Sequence, residues 1–132
     1  MLLARSPQWW TNGNDFCEIR VGVPEAMARG RQTLRARLTD WGCVNEDAVL
    51  VFSELVTNAI VHTAGGSRTV ITHGAGAVRL DAHDGSHAIS ELRNDQRPGG
   101  FGLRIVTELS ESWGWEQTAT GKVVWAFVPC AS

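Results

Sequence analysis

The sequence predicts an α+β domain built as a two-layer sandwich, with helices covering one face of a sheet. Two long helical patterns come early in the chain, and strand-like segments come before and after them in the order β-α-α-β-β-loop-α-β-β. With 132 residues and 43% hydrophobic content, the chain can bury one core but is too short for two domains. We assign residues 16–129 to the domain, and residues 1–15 and 130–132 to tails. The sheet is expected to be mixed and mainly antiparallel.

The first half of the chain is predicted to form one strand and two helices. Partial alternation of apolar residues predicts a strand over residues 16–23. Pro24 suits the first position of a helix, and apolar residues then recur at helical spacing until Gly42. A second helix is predicted to begin after the N-cap residue Asn45 and to run to about residue 63, before a Gly-Gly pair.

The second half is predicted to form four strands and one helix. The predicted strands span residues 68–73, 77–83, 112–116 and 122–128. A Gly-Ala-Gly turn joins the first two of them. Residues 85–100 are rich in turn-forming residues and predict a loop. Apolar residues beginning at Leu103 mark the third helix.

The composition argues against several kinds of partner. The formal net charge of −2 gives no general attraction to nucleic acid or to an anionic membrane. Neither a signal peptide nor a membrane-spanning segment is recognisable. Cys17, Cys43 and Cys130 lie far apart and are odd in number, so they cannot form a fully paired disulfide framework. We therefore expect a cytoplasmic protein in a reducing compartment, with no nucleic-acid or membrane partner.

The second predicted helix has an apolar face and a line of polar side chains. At about 100° per residue, seven apolar residues fall on one arc that we expect to face the core. They are Ala48, Val49, Phe52, Leu55, Val56, Ala59 and Ile60. Glu54, Asn58 and His62 lie at successive turns on the opposite side. The residues that flank this line are Leu50, Val51 and Val61. Apolar flanks predict the wall of a pocket rather than an ordinary solvated face.

The residue types in this polar line suit phosphoryl chemistry. Asn58 offers a neutral oxygen that can ligate Mg²⁺ without cancelling the charge that must meet phosphates. Glu54, one turn away, can orient or deprotonate an attacking hydroxyl or water. His62 is equally compatible with closing the helix end and with contacting a phosphate, because a lone imidazole is weak evidence.

Two further segments carry candidate binding residues. Asp84 ends a strand-like stretch, where a carboxylate can accept a hydrogen bond from the exocyclic amine of adenine. Taken alone, a turn-forming role explains this aspartate better. Gly100, Phe101 and Gly102 lead directly into the third helix, where free backbone N–H groups can bind an anion. No G-K-[ST] sequence follows, so this turn is not a Walker loop.

Taken together, these segments resemble the GHKL superfamily of ATPases. Residues 54–62, Glu-Leu-Val-Thr-Asn-Ala-Ile-Val-His, are similar to the N box of the small anti-sigma-factor serine kinases and their actinobacterial relatives. The similarity continues through residues 83–86, 100–106 and 121–125. It covers roughly residues 16–129, and the order and spacing of the segments make it specific.

The resemblance implies the Bergerat fold, with ATP and Mg²⁺ held between the second helix and the sheet. It implies that Glu54 is the catalytic base, Asn58 the Mg²⁺ ligand and Asp84 the adenine reader. The other cofactor-binding residues that it implies are His62, Ser86, Gly100, Phe101, Gly102, Leu103 and Lys122. Ser86 stands where the Asp-x-Gly pattern of the family has glycine.

The resemblance makes an anti-sigma-factor serine/threonine protein kinase the leading hypothesis. Its expected partners are a small antagonist protein, which it would phosphorylate, and a sigma factor; a homodimer is left open. The main alternative is a catalytically inactive, nucleotide-gated protein-binding module, because Glu54 is compatible with both. A zinc-dependent hydrolase is a third possibility, although no metal-spaced pair lies on a predicted helix. Its candidate ligands are His73, Asp81, His83 and His87.

Overall fold

The computed structural model describes residues 15–62, 66–74, 76–85 and 101–130. Its elements follow the predicted order. They are β1 (Asp15–Val21), a 3-10 turn (Pro24–Ala26), α1 (Met27–Asp40), α2 (Glu46–His62), β2 (Ser67–Gly74), β3 (Ala77–Asp84), α3 (Phe101–Leu109), β4 (Ser112–Gln117) and β5 (Lys122–Pro129). Residues 1–14 of the predicted tail and most of the predicted loop, residues 86–100, lie outside the described residues. Asp15, the last residue assigned to the tail, instead begins β1.

The five described strands form one sheet in the order β1-β2-β3-β5-β4. Every pairing between these strands is antiparallel. The predicted α+β architecture is confirmed, but the sheet is antiparallel throughout its described part rather than mixed. The reason is partly local, because short connections join β2 to β3 and β4 to β5 and reverse the direction of the chain. β5 therefore lies between β3 and β4.

The core lies between the helices and one face of the sheet. Along β1 and β3, every second residue points to this face and is buried. In β1 these residues are Cys17, Ile19 and Val21, and in β3 they are Val78, Leu80 and Ala82. The opposite face carries polar and aromatic side chains, including an Arg79–Asp81 ion pair with an Nη2–Oδ1 distance of 2.8 Å.

α2 is the central helix of this layer and contacts α1, α3 and three of the strands. The predicted core arc is confirmed, since six of its residues are at most 2% exposed and Ile60 packs against them. Val51 is also fully buried, whereas Leu50 and Val61 are exposed. Val51 belongs to the core because α2 packs against helices as well as the sheet, and the pocket wall expected beside these three residues stays a prediction. No described helix is both long enough and apolar enough to cross a bilayer.

Glycine and asparagine define the connection between α1 and α2. Gly42 has a φ of 72° and donates its N–H to Thr39 O, and Cys43 donates to Leu38 O. These two bonds form a Schellman motif, which ends α1 as predicted. Asn45 Oδ1 then accepts the N–H of Asp47 at 2.9 Å, which confirms Asn45 as the N-cap of α2.

The cysteines correct one expectation. Cys43 forms a disulfide with Cys130, which follows β5, although 87 residues separate the two in sequence. Cys17 is a free, buried thiol, and burial raises its pKa more than the charge of Arg37 lowers it. The odd number of cysteines favoured a reducing compartment. An odd number does not exclude a disulfide, because the fold, and not the spacing along the chain, decides which cysteines meet.

Candidate functional site

A buried ion pair joins the end of β3 to the start of β5. Asp84 and Lys122 are directly opposed in the antiparallel pairing, and Lys122 Nζ donates to Asp84 Oδ1 at 3.0 Å. Both side chains are 2% exposed. Ala82 and Val124 are the next residues on the same side of each strand, and both belong to the core. The ion pair therefore extends the helix-covered face of the sheet at its edge.

Close packing of backbone surrounds this ion pair. A Cβ atom added to Gly121 would overlap the carbonyl oxygen of Asp84 and would lie 2.7 Å from the Cα atom of Gly85. Gly121 also accepts the N–H of Thr118 at 2.9 Å, which closes the turn between β4 and β5. A residue without a side chain is thus required where the hairpin approaches Asp84.

Two buried hydroxyl groups of β2 lie on the same face of the sheet. Ser67 is 6% exposed and Thr69 is 0% exposed, and their oxygens are 3.4 Å apart. Thr69 is opposed to Ala82, so Ser67 is level with Asp84 on the neighbouring strand. Neither residue was predicted to be part of the site, because neither belongs to a motif. The alternation of buried residues with Ile71 is the signal that could have indicated them.

A cavity of about 510 Å³ opens at this end of the sheet. Ser67 and Asp84 line it, as do Arg68 and His83, which are directly opposed on β2 and β3. This volume falls within the range of small-molecule sites in proteins. The cavity therefore combines a carboxylate-bearing residue, a hydroxyl group and a guanidinium group in one place.

His83 is half-buried beside this cavity. Burial lowers the pKa of its imidazole, and the positive charge of Arg68 lowers it further. The nearby carboxylates of Asp81, Asp84 and Glu18 oppose this shift without reversing it. The lowered pKa favours the neutral imidazole, which can both donate and accept a hydrogen bond.

Two residues of the predicted polar line, Glu54 and Asn58, are described with their side chains on α2. Glu54 and Asn58 lie one turn apart and are both half-buried, while Thr57 between them is exposed. His62 is the last residue of the helix. Neither Glu54 nor Asn58 is among the described residues that line the 510 Å³ cavity. The described structure thus places them on the helical layer that covers the Asp84 face, without joining them to Asp84 in one cavity.

The beginning of α3 carries the next group of predicted site residues. Phe101 and Gly102 form its first turn, where backbone N–H groups have no partner within the helix. Leu103 is 5% exposed and belongs to the core, so only its backbone is available to a ligand. Ser86 and Gly100 lie outside the described residues.

A zinc site finds no support in the described part of the chain. His73 is opposed to Val78 and His83 to Arg68, so the two histidines lie at opposite ends of the β2–β3 pair. His87 lies outside the described residues. Within those residues, no group of three or more His, Cys, Asp or Glu side chains could hold a metal ion.

Comparison with known protein families identifies the family of this domain. Residues 21–127 match the histidine kinase-like ATPase domain. The chain belongs to this family. The match extends from the last residue of β1 into β5, and it confirms the resemblance to the GHKL superfamily. No curated protein matches the sequence of this ATPase domain.

The described residues of this histidine kinase-like ATPase domain fit a nucleotide chemically. The Asp84 carboxylate has about four acceptor positions and Lys122 has three N–H donors, which suits the polar edge of a base. Asn58 and Glu54 supply oxygen atoms of the type that Mg²⁺ prefers. Membership of the family indicates an ATP-binding regulatory function.

Proposed function

We propose that this ATPase domain is an anti-sigma-factor serine/threonine protein kinase, which phosphorylates a small antagonist protein. The observation that best supports nucleotide binding is the buried Asp84 carboxylate at the end of β3, which pairs with Lys122 on the helix-covered face. A carboxylate at this depth is retained at a cost in free energy, because burial removes its hydration. Recognition of a ligand base is the function that explains its position.

Each proposed role follows from the chemistry of one side chain. Asp84 accepts a hydrogen bond from the exocyclic amine of adenine, and guanine has no donor at that position. The amide oxygen of Asn58 would hold Mg²⁺, which would neutralise charge on the phosphates. Glu54 lies one turn from Asn58 on the half-buried row of α2, so a base and a metal ligand are held on one rigid element.

Glu54 acts on the hydroxyl group of the protein substrate. As the seryl oxygen bonds to the γ-phosphorus and the bond to the β–γ bridging oxygen breaks, Glu54 takes up the seryl proton and ADP leaves. A neutral hydroxyl is a weak nucleophile, so a carboxylate at hydrogen-bonding distance accelerates this step.

The proposed partners are a sigma factor and its antagonist protein. The resemblance of residues 54–62 to the N box of the small anti-sigma-factor serine kinases supports this part of the proposal. The antagonist supplies the seryl group, and the sigma factor is the protein whose availability is regulated.

The kinase activity is tested by transfer of radiolabelled γ-phosphate to a panel of candidate antagonist proteins. We expect seryl phosphorylation of one antagonist, its loss in Glu54→Gln, and its persistence in Glu108→Gln, which changes an exposed glutamate on α3. ATP binding should persist in both variants. Binding of ATP with no transfer to any antagonist would instead support a nucleotide-gated binding module.

Nucleotide binding is tested separately by thermal denaturation with Mg-ATP, Mg-ADP and Mg-GTP. Ligand at about 100 times its Kd should raise the Tm of the wild type by roughly 5–15 °C, because only the native state binds it. Mg-GTP should raise the Tm much less. Asn58→Ala should lose the Mg²⁺-dependent part of the shift, whereas Thr57→Ala, its exposed neighbour, should retain it.

A further inference from the structure

Lys122 is the only lysine of the chain, and its ammonium group is enclosed in the fold. Its side chain is 2% exposed, and its Nζ atom donates one hydrogen bond, to Asp84 Oδ1 at 3.0 Å. Within the part of the chain that the structure describes, no second acceptor for this ammonium group is found. Two of its three N–H donors are therefore not used by described protein atoms.

A buried ammonium group with unused donors is costly. Its hydration is lost on burial, and a single carboxylate bond replaces only part of it. Lysines are almost never fully buried unless their charge is satisfied. The ammonium group also lies at the edge of the layer between helices and sheet, beside a residue that lines the 510 Å³ cavity. A ligand acceptor at this point would compensate the remaining donors.

We propose that Lys122 is a specificity-determining residue, which donates a hydrogen bond to the N1 atom of adenine while Asp84 accepts one from the neighbouring exocyclic amine. This inference rests on the proposed nucleotide site. The two protein atoms are 3.0 Å apart, and the donor and acceptor of adenine occupy adjacent positions on its edge. One acceptor and one donor of the protein therefore meet one donor and one acceptor of the base.

The same pair discriminates against guanine twice. In the orientation that suits adenine, guanine places its O6 acceptor against the Asp84 carboxylate and its N1–H donor against the ammonium group of Lys122. Both contacts are then repulsive. A carboxylate alone would reject guanine through only one of them, so Lys122 increases the selectivity for adenine.

The first test compares ADP with 1-deaza-ADP, which lacks the N1 acceptor, on the wild-type protein by isothermal titration. We expect 1-deaza-ADP to bind about ten- to a hundredfold more weakly, the effect of losing one charge-assisted hydrogen bond. The control ligand 7-deaza-ADP lacks the N7 acceptor but keeps N1. It should therefore bind within about threefold of ADP.

The outcomes separate this inference from the proposed function. Equal binding of ADP and 1-deaza-ADP would overturn the role of Lys122 and leave the nucleotide site standing. Absence of ADP binding at millimolar concentration would overturn the nucleotide site itself. Tighter binding of GDP than of ADP would overturn the assignment of the adenine edge.

A second test uses the single lysine as a spectroscopic probe in the wild-type protein. With ¹⁵Nζ-labelled lysine, the only side-chain ammonium resonance is that of Lys122. We expect ADP to shift this resonance and to slow its hydrogen exchange, and 1-deaza-ADP to do neither. An unchanged resonance at saturating ADP would contradict the proposal.

The variant Lys122→Met completes the comparison. It keeps the unbranched chain but removes the donors, so the difference in affinity between ADP and 1-deaza-ADP should fall to within about twofold. Circular dichroism shows whether the variant folds. If it does not, the two wild-type experiments decide the question without it. A folded variant that still prefers ADP tenfold would show that N1 is read by another group.

Discussion

Gly121 is the residue at which a single added methyl group should have the largest effect on the site. Its missing Cβ atom is what allows the β4–β5 turn to approach the carbonyl oxygen of Asp84 and the Cα atom of Gly85. The neighbouring contacts are backbone atoms, which cannot move aside as the end of a side chain can. The position of Lys122, the next residue, depends on this approach.

We expect Gly121→Ala to lower the free energy of unfolding by about 1–3 kcal/mol, the usual range for overpacking, and to weaken ADP binding. Gly22→Ala is the matched control, because a Cβ atom at Gly22 meets nothing within 4 Å. Its effect should stay within about 0.5 kcal/mol. Urea unfolding followed by tryptophan fluorescence measures both, and equal losses in the two variants would contradict the explanation.

His83 should make stability depend on pH below neutrality. Burial and Arg68 lower its pKa in the folded protein, whereas the unfolded chain has a value near 6.5. The unfolded state therefore binds the proton first as the pH falls. Above about pH 6.5, His83 makes no contribution to the pH dependence of stability. As the pH falls from about 6.5 to the lowered pKa of the folded state, the free energy of unfolding decreases.

The variant His83→Gln should remove this contribution. Urea midpoints at pH 7.5 and pH 5.5 measure it, and the decrease between them should be smaller in the variant than in the wild type. The difference between the two proteins is the relevant quantity, because carboxylates also begin to titrate in this range. Identical decreases would mean that His83 is protonated as easily in the folded protein as in the unfolded chain.

At the scale of elements, Asn45 connects α2 to the sheet. Its Oδ1 atom caps the helix by accepting the N–H of Asp47, and its Nδ2 atom donates to Pro129 O in β5 at 2.6 Å. The residue is 9% exposed, so both bonds are largely shielded from water. One amide therefore fixes the beginning of the helix that bears Glu54 and Asn58 against the end of the interior strand β5.

We expect Asn45→Ala to lower the free energy of unfolding by about 1–3 kcal/mol, because it removes a cap and leaves a carbonyl oxygen without its donor. Asn45→Ser retains a capping oxygen but cannot reach β5, so its loss should be smaller. Chemical denaturation of the two variants ranks them. A serine variant as unstable as the alanine variant would show that the cap contributes little.

The elements differ in how well the sequence predicted them. α2 was predictable because it is long and strongly periodic, and it begins directly after its predicted cap. β1 was less so, because it was predicted over residues 16–23 but spans Asp15–Val21, and within it Phe16 is 66% exposed whereas Cys17 is buried. β1 pairs only with β2, at an edge of the sheet, so few neighbours constrain which residues must be apolar.

At the scale of the whole molecule, two contacts were beyond the reach of sequence patterns. The Asp84–Lys122 ion pair joins residues 38 positions apart, and the Cys43–Cys130 disulfide joins residues 87 positions apart. The ion pair follows from the pairing of β3 with β5. The disulfide follows from the packing of the α1–α2 connection against the end of β5, where Asn45 also bonds to Pro129 O. No local motif encodes either arrangement. The motif residues could be recognised one by one, but the partner of the carboxylate depends on strand order.

The disulfide should contribute substantially to global stability. Chain-entropy arguments give up to about 4.5 kcal/mol for a crosslink that closes a loop of this length. We expect reduction by dithiothreitol to lower the guanidinium midpoint of the wild type. Cys17→Ala should respond in the same way, because Cys17 is the free thiol. Cys43→Ala/Cys130→Ala should be insensitive to the reductant, and an unchanged wild-type midpoint would contradict a stabilising crosslink.

The strand order also governs when a newly made chain can finish folding. β5 is the last described strand to be translated, yet it occupies an interior place in the sheet, between β3 and β4. While the residues after 121 are still inside the ribosome, one edge of β3 has no partner strand and can pair wrongly. Premature termination within β5 should therefore give aggregation or proteolysis instead of a slightly weakened ATPase domain.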